Sequence, residues 1–116
     1  MKNLFTLLSI ICISASYGQD YKVIKKISVA GDEGWDYLSV DNVNQHLFVS
    51  HGSVVNVIDL KTDQTIETIS DTKGVHGIAI APDLNRGFIS DGRDDSVTIF
   101  DTKTLKNIQV VSMKRY

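Results

Sequence analysis

Apolar and β-branched residues come in short bursts along this chain, and each burst ends at a small polar cluster. After the first twenty residues the bursts read "DYLSVD", "HLFVS", "VVNVIDL" and "QTIETIS", then "HGIAIAP", "RGFIS", "SVTIFDT" and "NIQVVSM". Val, Ile, Phe and Thr dominate them, and Val97-Thr98-Ile99-Phe100 alternates as a half-buried strand does. Between them stand turn residues: Asp41-Asn42, His51-Gly52, Lys61-Thr62-Asp63, Asp83-Leu84-Asn85 and Asp91-Gly92. Apolar spacing of about 3.6 residues, the mark of a helix, is missing from this region. The pattern predicts eight short antiparallel strands.

The second four bursts restate the first four. Phe48 matches Phe88 and Ser50 matches Ser90, each 40 positions on. Val55 matches Val97, Asp59 matches Asp101, Lys61 matches Lys103 and Thr62 matches Thr104, each 42 positions on. Two extra residues in "DGRDDS" account for the change. A four-stranded unit repeated at this period is the sequence signature of a β-propeller blade. The fold expected is therefore all-β: two four-stranded antiparallel blades of an incomplete β-propeller. A sandwich of the two sheets is the rival arrangement. Propellers close with about 4–8 blades, so residues 31–71 (blade 1) and 72–114 (blade 2) are expected to form part of a larger ring. Two blades alone would leave two broad apolar faces in water. Residues 19–30, with "YKVIKKISV", read as a lone outer strand that would close the ring's last blade.

Residues 1–18 break the pattern. Lys2, an apolar run from Leu4 to Ala15, and small residues at Ser16 and Gly18 have the layout of a secretory signal peptide, expected as a helix. The run is too short for a bilayer span, which takes roughly 20 residues. The product is expected outside the cytoplasm, periplasmic or extracellular, with no membrane span once the signal is removed. Cys12, the one cysteine, lies in that run behind Ile11, which is too large for a lipidation site. The mature chain would then hold no disulfide, and loss of Lys2 would take the formal charge from -2 to -3.

At "RGFISDGRDDSVTIFDTKTLKNIQVV" the chain resembles the YVTN-type β-propeller repeat. "GVHGIAIAPD" is similar to the segment that enters the innermost strand in that family, and "GWDYLSVD" with "LFVSHG" resembles its YncE-like exported bacterial members. The resemblance implies a seven-bladed parent, so the remaining blades of a full-length protein are expected partners. Fold alone does not give an activity, since propellers host many.

Meander topology sorts the loops onto two edges. One edge collects Trp35, Asp36, His51, His76, Asp91 and Arg93, the rim of a channel mouth in this fold. These are the candidate ligand-binding residues, for an unknown small ligand or protein. His76 has two readings: a base or metal ligand at the mouth, or a hydrogen-bonded strap between strands. Trp35 packs either on a ligand or between blades, with Asp36 capping a turn. His46, at a strand start on the other edge, is expected to be solvated. Asp59 and Asp101 precede turns in both repeats and are expected to accept backbone N–H bonds there. "DGRDD" lacks the acidic alternation and late Glu of a calcium loop. No phosphate loop, Cys-x-x-Cys zinc motif or Gly-x-Ser-x-Gly elbow occurs. No cofactor, metal or catalytic residue is assigned. The reading is a binding scaffold. The rival is part of a propeller enzyme, hydrolase, lyase or quinoprotein-like, whose site needs further blades. Nucleic-acid binding is a weaker third reading, opposed by 12 basic against 14 acidic residues.

Overall fold

The computed structural model describes residues 20–31 and 34–113. The expected signal peptide, with Cys12, lies outside them. Strands β1 (Trp35–Asp41), β2 (His46–His51), β3 (Val54–Asp59) and β4 (Gln64–Ile69) form one sheet. Strands β5 (Val75–Ala81), β6 (Arg86–Asp91), β7 (Ser96–Asp101) and β8 (Asn107–Ser112) form a second. Both are antiparallel meanders in chain order. The fold is all-β, two propeller-like blades. Pro82 ends β5 and opens a 3-10 turn, Pro82–Leu84, because its ring fixes φ and leaves no N–H for a ladder. Among the described residues no helix is long and apolar enough to cross a membrane.

The repeat reaches down to single backbone bonds. Gln45 and Asn85 both take left-handed φ, at 58° and 51°. The carbonyl of Gln45 accepts from Leu60 N–H at 2.9 Å, and that of Asn85 from Thr102 N–H at 3.2 Å. Asp63 and Leu105 repeat the device at φ 59° and 60°, each N–H donating at 2.8 Å to the carbonyl of Asp59 or Asp101. A non-glycine residue in this region is strained; in Leu105 the strain is offset by burial of the side chain in the core. Each blade's first strand carries a bulge, at Trp35/Leu38 and at Val75/Ile78. Ser50 Oγ accepts from Tyr37 N–H at 2.7 Å across the first, and Ser90 Oγ accepts from Gly77 N–H at 2.9 Å across the second. The matched serines thus satisfy amides that the bulge takes out of the ladder.

The two sheets stack, with β5 against β1 and β2. The face of the first sheet that meets the second is its front, carrying Phe48, Val55, Val57 and Ile69. The meeting face of the second sheet is its back, carrying Val75, Ile78, Ile80, Ile89 and Phe100. Phe48 and Phe100 are both 0% exposed, with ring centroids 5.3 Å apart and planes tilted by 50°. Such a pair adds about 0.5–1.5 kcal/mol beyond its buried area. In a sandwich of the matched faces, Phe48 would meet Phe88 instead.

Residues 20–31 have no strand assignment. They nevertheless repeat the relation that β4 has to the second blade. Ile27 and Val29 border a groove on the back of the first sheet with Trp35, Leu38, Leu47, Val49 and Ile58. These five match Val75, Ile78, Gly87, Ile89 and Phe100, the back of the second sheet, where Ile69 packs. Lys25 pairs with Asp63 in the β3–β4 turn of the first blade, as Glu67 of β4 pairs with Lys106 beyond the β7–β8 turn, at 2.7 Å. Ala30 O accepts from Asn56 Nδ2 at 3.0 Å and ties the segment down.

Candidate functional site

Matched glycines shape the rim. Gly34 and Gly74 hold φ of 74° and 65°, a region glycine enters without a Cβ penalty. Their carbonyls accept from Gly52 N–H at 3.1 Å and Gly92 N–H at 2.8 Å, which pins each β2–β3-type turn beside the entry to its blade's first strand. Val75 N–H then donates to Gly52 O at 3.0 Å, and Thr72 Oγ1 donates to Ser53 O at 2.8 Å. These two bonds lock the second blade's entry onto the first blade's turn.

A shallow cavity of about 370 Å³ opens over this junction. Trp35, Asp36, His76 and Arg93 line it, so four of the six candidate residues converge from both blades. His76 Nδ1 lies 2.6 Å from Asp36 Oδ2. The two residues hold the same position in consecutive repeats, so the bond bridges the blades at the mouth. In the neutral imidazole this contact puts the proton on Nδ1 and leaves Nε2 as an acceptor. The His76 side chain is 63% exposed, and its Cδ2–Nε2 edge lies beside Gly92. Arg93 lies along Gly74: a Cβ there would sit 2.6 Å from Arg93 Cγ. Lys73 pairs with Asp94 at 3.3 Å on the neighbouring turn.

The other two candidates lie beside the cavity rather than in its wall. His51 stands edge-on to Trp35, centroids 4.2 Å apart at 74°, and neither ring nitrogen has a hydrogen-bond partner among the described residues. Trp35 therefore packs on its own blade and borders both the back groove and the cavity over the blade junction. Asp36 bonds His76 across the seam, in place of the expected turn cap. Asp91 is 3% exposed and turns inward. Burial pushes its carboxyl up from the ordinary range, and hydrogen bonds from Thr98 Oγ1 at 2.6 Å and Ser96 Oγ at 3.4 Å pull it only part of the way back. Asp91 Oδ1 has no partner among the described residues. With Asp91 inside and Asp94 on Lys73, the turn does not gather its carboxylates around one point.

The structural acids behave as the repeat suggests. Asp59 Oδ1 accepts from Lys61 N–H at 2.7 Å and Thr62 N–H at 3.0 Å; Asp101 Oδ1 accepts from Lys103 N–H at 2.9 Å and Thr104 N–H at 2.8 Å. Those bonds lower both carboxyls below the usual range. Asp41, expected from the sequence as a turn residue, does the same for Val43 and Asn44 N–H at 2.9 and 3.1 Å. Burial raises its carboxyl, but the bonds from the Asn44 side chain and the two amides outweigh that and lower it. His46 differs from expectation: it is half-buried, its Nδ1 lacks a partner among the described residues, and its ring stands edge-on to Phe48.

No protein-family model matches the chain, and no curated protein matches it. Solved structures do. Hydrazine synthase of Kuenenia stuttgartiensis superposes with a TM-score of 0.65 at 16% identity, over 80% of this chain and 27% of that one. AztD of Citrobacter koseri superposes with a TM-score of 0.57 at 18% identity, over 66% of this chain and 23% of that one. At such identities the likeness concerns the fold, and this chain spans about a quarter of each. Repeat, sheet order and structural likeness agree: the described residues form two neighbouring β-propeller-like blades.

Proposed function

We propose that the chain is a two-blade stretch of an exported propeller of the YVTN kind, a scaffold that presents its rim to a small ligand or partner protein. The observation that carries this reading is the convergence of Trp35, Asp36, His76 and Arg93 from two blades on one cavity. Rigid strands fix the rim while its loops carry the varied side chains, an arrangement suited to recognition. The signal-peptide layout of residues 1–18 supports export to the periplasm or beyond. The Asp36–His76 bridge gives His76 a structural part as well, since it joins the blades.

The test uses the single tryptophan as reporter. A library of small organic acids, amines and sugars is screened against the isotope-labelled chain by chemical-shift mapping. The expected result is a set of shifts gathered on the Trp35 indole, Gly52, His76 and Arg93, lost in Arg93→Ala with the fold unchanged. Shifts that never gather there, or that survive Arg93→Ala and His76→Ala alike, would contradict the rim as the binding site.

A further inference from the structure

The cavity over the blade junction has a floor of bare backbone. Gly34, Gly52 and Gly74 line it, and none has a side chain to fill it. A Cβ at Gly52 would meet nothing within 4 Å, so the space above that residue is open. The floor's backbone groups are already bonded: Gly52 N–H to Gly34 O, Val75 N–H to Gly52 O and Gly92 N–H to Gly74 O. A bonded backbone of this kind gives a ligand a flat surface to lie on more than donors to bind. Trp35, 46% exposed, borders the same space.

The charged groups around the cavity are not equivalent. Asp36 is held by His76 at 2.6 Å, and on the neighbouring turn Asp94 is held by Lys73 at 3.3 Å. Asp91 is buried and accepts from Thr98. Arg93 makes no ion pair among the described residues, whereas Arg86, the other described arginine, is bonded to Asp101 at 3.1 Å. Arg93 is nonetheless well placed. Its N–H donates to Lys73 O at 3.1 Å, and its stem lies on Gly74, where a Cβ would meet Cγ at 2.6 Å. A guanidinium positioned by its stem and lacking an acid is suited to take a carboxylate from outside, through its planar fork of donors.

We propose that the rim takes a flat aromatic carboxylate, its acid group on Arg93 and its ring on the glycine floor beside Trp35; this rests on reading the rim as the binding site. Size, charge and shape each narrow the class. The cavity of about 370 Å³ is near the lower end of the roughly 300–1,000 Å³ of ligand pockets, room for one ring or two fused rings. One cation without a partner suits a monoanion. A phosphate ester would call for a second cation, and Lys73 is engaged by Asp94. An amine would call for an acid, and Asp36 already bonds His76. A planar ring can lie on the bare floor and meet the indole, where a puckered ring of the same charge stands off.

The test titrates the isotope-labelled full chain with benzoate, benzamide, benzylamine, phenyl phosphate and cyclohexanecarboxylate, followed at the Trp35 indole and the Gly52 and Gly74 amides. Benzoate is expected to bind most tightly. Benzamide should be roughly tenfold weaker or more, for want of the charge-assisted bond, and cyclohexanecarboxylate should be several-fold weaker. Arg93→Ala should lose benzoate. Gly52→Asn should lose it too, with Arg93 still present, because asparagine accepts the left-handed φ of 55° and fills the open space. The Phe48–Phe100 contact checks the fold of each variant, and the wild-type series decides the class by itself if a variant fails to fold. Benzamide or benzylamine matching benzoate at the rim would overturn the carboxylate and leave the rim as a binding site. Tighter binding of phenyl phosphate would overturn the monoanion, and equal binding of cyclohexanecarboxylate would overturn the flat floor as the selector. Benzoate held undiminished by folded Arg93→Ala would overturn the role of Arg93. If no probe of any charge moves the rim signals, the rim reading itself falls.

Discussion

Replacing Gly87 with alanine tests how closely the two blades interlock. Gly87 lies on β6 opposite Phe100, and the Phe100 ring covers its Cα. A Cβ at Gly87 would sit 2.7 Å from Phe100 Cε2 and nearer still to Cζ and Cε1. Carbon atoms pack at about 3.5–4.0 Å, so the ring must give by roughly 1.5 Å or more at its nearest atom. It has little room, being 0% exposed with Phe48 on its far side. Forcing one extra carbon into a filled core costs about 1–3 kcal/mol. Gly→Ala at an unstrained position would return about 0.4–1 kcal/mol through the unfolded chain. The net expectation is a loss on the order of 1–2 kcal/mol, read as a lower urea midpoint at unchanged slope. The first blade shows the remedy: at the matched positions it pairs Leu47 with Ile58, so a larger residue on one strand goes with a smaller one on the other. Gly87→Ala with Phe100→Ile should therefore be more stable than the two single losses predict, by about 0.5 kcal/mol or more. A Gly87→Ala chain more stable than wild type, or strictly additive losses, would refute the interlock.

Other predictions concern polar groups that the repeat places. Ser50→Ala should cost about 1 kcal/mol by leaving Tyr37 N–H without its acceptor, and Ser90→Ala should act alike on Gly77; equal stability to wild type in thermal melts would contradict this. The Asp91 carboxyl is raised above its ordinary 3.8 by folding, so its contribution to stability is full below that pH and is lost as pH rises through the folded value. Stability of wild type relative to Asp91→Asn should thus fall between acid and neutral pH, and a constant difference would contradict it. Asp41 has the opposite sign: its carboxyl is lowered, so its contribution is present above 3.8 and is lost as pH falls through the folded value. Asp41→Asn should be weaker than wild type at neutral pH, with the gap closing in acid.

Strand positions were legible because each strand is a β-branched burst bounded by a turn residue, as in Ser96–Asp101 between Asp95 and Thr102. The two turns of unequal length were legible from the shift between matched residues. The rim grouping followed from topology alone, and Trp35, Asp36, His76 and Arg93 do share one cavity. Side-chain direction was not legible. Asp91 and Arg93 lie two residues apart, yet one enters the seam and the other lines the cavity. Which way Asp91 points depends on Thr98 and Ser96 across the sheet, and spacing along β6 carries no record of them. The Asp36–His76 bridge was hidden for a similar reason: its partners stand 40 positions apart and meet only once the blades stack. Gly87 looked like an ordinary strand glycine until the ring above it came into view.

The central claim is that the second sheet lies with its back on the front of the first, as one blade follows another. Nuclear Overhauser contacts among the aromatic rings test it most directly. Strong cross-peaks between Phe48 and Phe100, with none between Phe48 and Phe88, are the predicted result. Cross-peaks linking Phe48 to Phe88 and missing for Phe100 would mean that the two fronts close on each other, and the stacked-blade account would fail.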